Sequence, residues 1–200
     1  MSEMDHIWFT SDTHFNHRLA FEMRPWASSV SEMNEMLISD WNDRVGKHDR
    51  VYHLGDVSLR NPSATRELLD RLNGKIYLVR GNHESVAEST FCRDRFEWIR
   101  DVHMLKVKCE SPYSHGGKTR VWLSHYAHRT WPGSHHGVLH LYGHSHGMLP
   151  DDSRLLSLDI GIDAVVFHAP VNLSWVVRRM SLSKHWKRPA SRRDEAPPLE

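Results

Sequence analysis

Seven side chains of metal-binding type and one further histidine fall in five short motifs. These are Asp12-Thr13-His14, Gly55-Asp56, Gly81-Asn82-His83-Glu84, Ser124-His125 and Gly143-His144-Ser145-His146. The candidate metal ligands are Asp12, His14, Asp56, Asn82, His125, His144 and His146, and His83 is left over. A mixed imidazole and oxygen set suits Mn, Fe, Zn or Ni better than Mg alone, with Mn the first choice. Taken singly the motifs say little, since Gly55-Asp56 reads equally as a plain turn. Together they read as a two-metal hydrolytic site. Two divalent ions roughly 3.5–4 Å apart can share a hydroxide, lower its pKa and clamp phosphoryl oxygens during in-line attack.

Each motif closes an apolar run. Residues 6–10, 51–54 and 76–79 read as strands that end at the first three motifs. Between them, Ser29 with Glu32 gives a capping box and a helix carrying Met33, Met36, Leu37, Trp41 and Val45, with Gly46 as its stop. Asn61 and Pro62 open a second helix that Gly74 ends. The alternation predicts parallel strands with crossover helices. Later runs at 102–107, 120–123, 138–142, 155–160 and 171–177 predict further strands with little helix between them. The expected fold is α/β, a four-layer α/β/β/α sandwich of two mixed sheets flanked by helices. In both Asp12-x-His14 and His144-x-His146, alternate residues of an extended strand end would point to one side. Glycines 55, 81 and 143 stand where the backbone must turn without a side chain in the way.

Composition narrows the class. Two hundred residues suit one domain, read as 1–180, with a basic, Pro-containing disordered tail at 181–200. Lys plus Arg number 26 against 25 Asp plus Glu, so net charge does not point to nucleic acid or membrane as a partner. Seventeen histidines raise the expectation of metal chemistry without locating it. Cys92 and Cys109 are too few for a disulfide framework. With no secretory signal and no apolar run near the roughly 20 residues of a membrane helix, the expected location is the cytoplasm.

In order and spacing the five motifs resemble the calcineurin-like metallophosphoesterases, whose pattern runs D-x-H, G-D, G-N-H-[DE], H, G-H-x-H. The resemblance spans roughly residues 7–177, and the stretch from Ser11 to His17 is similar to a compact bacterial or phage branch. It implies one metal on Asp12, His14, Asp56 and His146 and a second on Asp56, Asn82, His125 and His144, with Asp56 bridging. It also implies that His83 protonates the leaving oxygen, a general-acid role worth roughly 10²–10⁴-fold. The activity implied is phosphoester hydrolysis, with a phosphodiester or nucleotide-type substrate ahead of a nuclease or phosphomonoesterase. The alternative is a non-catalytic, metal-binding interaction platform of the same fold. Oligomeric state is not readable.

Other residues carry two readings each. Asn16 and His17 can reach a substrate phosphate or simply face solvent. Arg129 can bind a phosphoryl oxygen and Trp131 can stack on a base, or both belong to a solvated loop. Arg80 reads as structural rather than catalytic. Asp159 and Asp163 either orient metal-binding histidines or, as the preferred reading, bond within their turn.

Overall fold

Alternation along the first strands sorts their side chains to two faces. Ile7, Phe9, Tyr52, Leu54 and Val79 face one core, and Trp8, Val51, Ile76 and Leu78 face another. In the computed structural model, which describes residues 2–59 and 61–182, these faces belong to one sheet. Its strands are β1 (Ile7–Thr10), β2 (Arg50–His53), β3 (Lys75–Val79), β4 (Phe96–Arg100) and β9 (Val171–Asn172), in the order β4-β3-β2-β1-β9. β1 to β4 are parallel and β9 runs antiparallel to β1. The second sheet is β5 (Val102–Lys108), β6 (Lys118–Ser124), β7 (Leu139–Tyr142) and β8 (Ser157–Asp159), in that order. Here β5 is antiparallel to β6, and β6, β7 and β8 are parallel. The fold is thus α/β, two mixed sheets with flanking helices.

The core between the sheets joins Phe9, Tyr52 and Leu54 to Val121, Leu123, Leu139 and Leu141. Helices α2 (Val30–Asn42) and α3 (Pro62–Asp70) cover the opposite face of the first sheet through Met33, Leu37, Trp41 and Leu69. Both start as their caps predict, with Ser29 Oγ accepting from the Glu32 amide at 3.1 Å and Asn61 Oδ1 from the Ala64 amide at 3.3 Å. The Glu32 carboxylate reaches Ser28 N, at 2.6 Å, rather than Ser29. α2 ends at Asn42, before Gly46, whose amide donates to Asp49 at 2.9 Å.

Three elements depart from the sequence reading. A short helix α1 (Arg18–Glu22) follows the first motif, and β4 adds an edge strand. The expected strand at 171–177 is two residues of β9 followed by helix α4 (Leu173–Ser181). Asn172 caps that helix by accepting from the Trp175 amide at 2.8 Å. Leu173, Val176 and Met180 then fall on one buried face, a helical period hidden in a β-branched run. The expected tail, beyond Ser181 and Leu182, lies outside the described residues. Among the described residues no helix is long and apolar enough to cross a membrane.

Candidate metal centre

The C-terminal ends of β1, β2 and β3 meet those of β6, β7 and β8 at one edge of the sandwich. Ser11 is the hinge between the sheets. It bridges to Gly161, and its carbonyl accepts from the Ile162 amide at 3.1 Å. Past β1 the chain stays tied to the end of β2, with the amides of Asp12 and His14 donating to the carbonyls of Gly55 and Asp56 at 2.9 and 3.0 Å. The expected extended strand ends are not what aims the ligands. Asp12, His14, Asp56, His144 and His146 all have left-handed backbones, with φ of 58°, 47°, 59°, 64° and 47°. Such backbones cost on the order of 1 kcal/mol each for L residues. Their recurrence at ligand positions puts the strain where side chains must converge.

Two ligand groups result. Asp12, His14 and His146 bring one donor atom each within 4.8 Å of one another, and so do Asp56, His125 and His144. Asp56 Oδ2 stands 3.6 Å from His14 Nε2 and 3.7 Å from His125 Nε2, facing both groups. Asn82 Oδ1 joins the second group, 3.0 Å from His125 Nε2. All seven predicted ligands therefore meet in one place.

The donors are prepared for cations. His125 Nδ1 donates to the Leu54 carbonyl at 2.7 Å and His146 Nδ1 to Asp163 Oδ2 at 2.7 Å, which leaves both Nε2 lone pairs free to bind. Burial, then the charge of His146, push His14 down to about 2, so it is neutral. Asp12 is fully buried, and its carboxylate accepts from the His144 amide at 3.0 and 3.1 Å. Burial pushes it well above the usual carboxylate range. A desolvated carboxylate facing imidazole nitrogens and a second carboxylate, Asp56, is favoured in its ionised form by a nearby cation, so this donor set fits divalent metal ions.

Behind the ligands lies a layer that sequence patterns revealed only in part. Arg24 is buried and donates to the Asp12 and Thr13 carbonyls at 2.7 and 2.9 Å. It also grips Asp163 with two bonds of 2.9 and 2.8 Å. Burial alone would raise Asp163, but hydrogen bonds from His146 and Arg24 outweigh it and hold the carboxyl well below its usual range. Asp163 thus orients a ligand histidine, contrary to the preferred turn reading. Asp159 bonds within its turn to the Gly161 amide at 2.9 Å and also accepts from the amide of Gly147, just past the fifth motif, at 3.1 Å. Glu84 is buried, accepts from the Val57 amide at 3.1 Å and is pushed up by burial to about 8. Nothing in its motif separates it from an exposed glutamate. The glycines allow close approach. A Cβ on Gly81 would come within 2.6 Å of the Asp56 amide and closer still to its Oδ1, and one on Gly143 would strike Ser11 and Asp12.

A cavity of about 270 Å³ opens over the ligand groups, lined by His14, His17, Asp56, Asn82, His83, His144 and His146. Its remaining wall is α1 and the residue that follows it, with Leu19, Ala20 and Met23. Of the three expected substrate contacts only His17 lines it. Asn16 is instead bound to Asn34 of α2 through bonds of 3.1 and 2.8 Å. Arg129 is exposed and is not among the lining residues. Trp131 is buried, donates to the Val138 carbonyl at 2.8 Å and packs on His140, so no base can stack on it. Arg80 pairs with Asp101 at 2.7 Å, as a structural residue would. Tyr126, half exposed, packs its ring 4.6 Å from that of His144, a contact no motif announced.

Comparison with known proteins follows the same outline. The family model for calcineurin-like phosphoesterases matches residues 6–193. A gene 66 protein of Mycobacterium phage D29 is 30% identical over 185 residues, covering 80% of this chain and 89% of the phage protein. An uncharacterised protein of Methanocaldococcus jannaschii is 47% identical over 89 residues, 42% of this chain and only 50% of that relative. A solved protein of unknown function from Aquifex aeolicus shares the fold with a TM-score of 0.62 at 20% identity, over 86% of this chain and 98% of the other.

Proposed function

This chain belongs to the calcineurin-like phosphoesterase family, and from that premise we propose that it is a binuclear metal-dependent phosphoesterase acting on a phosphodiester or nucleotide-type substrate. One observation carries the reading: a single oxygen, Asp56 Oδ2, faces a ligand histidine of each group at 3.6 and 3.7 Å. Asp12, His14, Asp56 and His146 would hold one ion, and Asp56, Asn82, His125 and His144 the other. Manganese is the first choice, with iron, zinc and nickel compatible with the same donors. Bound there, the ions supply Lewis acidity at the phosphoryl oxygens and a water of lowered pKa.

The chain's own residues do the rest. The Asp56 carboxylate offsets the mutual repulsion of two cations, and the neutral Asn82 amide adds a donor without another charge. His83 is exposed at the cavity wall, outside both ligand groups, and its imidazole can deliver a proton to the leaving oxygen. His17 lines the same wall and would donate to a phosphoryl oxygen. The free thiols of Cys92 and Cys109 suit a reducing, cytoplasmic location.

The test is a panel of aryl mono- and diesters, cyclic nucleotides and short oligonucleotides, assayed with manganese on wild type and His83→Ala. Wild type should bind about two ions per chain and hydrolyse at least one diester. The variant should keep its ions and lose roughly 10²–10⁴-fold in turnover on poor leaving groups. Equal rates on an alkyl diester would remove the acid role. A fully loaded wild type inactive throughout would favour a non-catalytic platform.

A further inference from the structure

The cavity has two unlike halves. One is the ligand cluster with His17 and His83, and the other is apolar, built from Leu19, Ala20 and Met23. Leu19 and Met23 stand four residues apart, one turn along the same face of α1 and its cap. They are 64% and 67% exposed, while Ala20 is buried beneath them. Single exposed apolar side chains need no explanation. These two differ because they share one wall of a cavity whose other wall is a cluster of carboxylate and imidazole donors. Arg18 and Glu22 of the same helix pair with each other at 3.0 Å and are not among the lining residues. The helix thus keeps its charges out of the cavity, turns Phe21 to the core, and leaves Leu19 and Ala20, with Met23 of its cap, in the cavity wall.

We propose that α1 is the substrate-selecting wall, and that the site takes phosphodiesters whose organic group beside the phosphorus is apolar, alkyl or aryl, rather than a polyol, which narrows the reading above to its diester arm and turns it away from nucleotides. The identity of the polar end rests on the phosphoesterase reading above; the apolar preference rests on the wall. A phosphoryl group engaged by the donor cluster places its substituent against Leu19 and Met23, which removes apolar surface of both partners from water. Methionine is unbranched and adaptable, so affinity should grade with the size of the substituent and not demand a single shape.

The experiment is calorimetric titration of the full chain, loaded with manganese, against methyl-, ethyl-, propyl-, butyl- and phenylphosphonate. Each added methylene should tighten binding by roughly two- to fourfold in wild type. In the Leu19→Ser/Met23→Ser double variant the series should be flat, and Leu19→Ser alone should lie between. Both positions face solvent, so folding does not depend on them. A flat wild-type series, the same slope in the double variant, or no phosphonate binding at all would overturn the proposal. Hydrolysis is read separately on the ester panel. A graded phosphonate series with no ester hydrolysed sinks the phosphoesterase reading and keeps the wall; hydrolysis with a flat series does the reverse.

Discussion

Asp163 stands behind His146 and in front of Arg24, and each contact fixes the next. Arg24 has little freedom, because its remaining donors are spent on the carbonyls of Asp12 and Thr13 and on the Met33 sulfur. The same guanidinium therefore pins the backbone of the first motif and, through Asp163, the imidazole of the fifth. Partners of this kind are worth about 10–100-fold in metal affinity. Asp163→Asn keeps the shape but removes the charge that attracts Arg24 and the acceptor strength that orients His146. The expected outcome is that loss of affinity falls on one of the two ions, the one held by Asp12, His14 and His146. The ion at His125, His144 and Asn82 should bind nearly as before. Stepwise metal titration of the variant checks this. Equal weakening of both steps would make Asp163 a general structural residue.

At the scale of elements, the site depends on strand ends that touch. Gly81 stands between β3 and the turn at Asn82 and His83, where a side chain would occupy the space of the Asp56 carboxylate and amide. Gly81→Ala should therefore displace Asp56 and weaken both ions together, unlike Asp163→Asn, while β3 itself stays folded. Two-step metal titration with circular dichroism on the same sample separates these effects, and unchanged affinity for either ion would refute the contact argument. The convergence of the candidate ligands was legible in the sequence because each motif follows an apolar run, and strand direction then delivers them to one edge. How they are aimed was not legible, since Asp and His tolerate the left-handed backbones found at Asp12, His14 and His146 but far more often adopt ordinary ones, so residue type does not announce them. Helix α4 was misread because Val176 and Val177 favour strands while the burial of Leu173, Val176 and Met180 has a helical period. Tertiary packing decided it. Arg24 was invisible for a related reason, since an arginine is mostly exposed unless its partners, here from distant segments, are known.

Across the whole molecule, burial of titratable groups makes stability depend on pH in two opposed ways. His53 and His140 are buried and lowered to about 3, first by burial and then by the charges of His125 and His128. Both sit in hydrogen-bond networks that use their neutral rings, His53 with Thr13 Oγ1 at 3.0 Å and His140 with Ser124 and Ser157 at 2.9 and 2.8 Å. Unfolded, they take up protons near 6.5. Between about 3 and 6.5 the unfolded chain therefore binds more protons, so their contribution is full above 6.5 and is lost as pH falls. Glu84 works the other way. Its folded form keeps a proton up to about 8 that the unfolded chain releases near 4.5, so that contribution is present below 4.5 and is lost as pH rises through 8. In the metal-free chain His14, lowered, and Asp12, raised, add one group to each side and leave the balance in place. Histidines dominate below 6.5 and carboxyls above it, so the metal-free chain should be most stable near pH 6.5. Urea midpoints of metal-free protein measured from pH 4 to 9 should rise, pass a maximum and fall. Glu84→Gln should flatten the alkaline fall and steepen the rise between about pH 4.5 and 6.5, where the Glu84 proton opposes the histidines. A wild-type midpoint that climbs steadily past pH 8 would show that Glu84 is ionised in the folded chain, and that its burial is compensated by bonds stronger than the one from Val57.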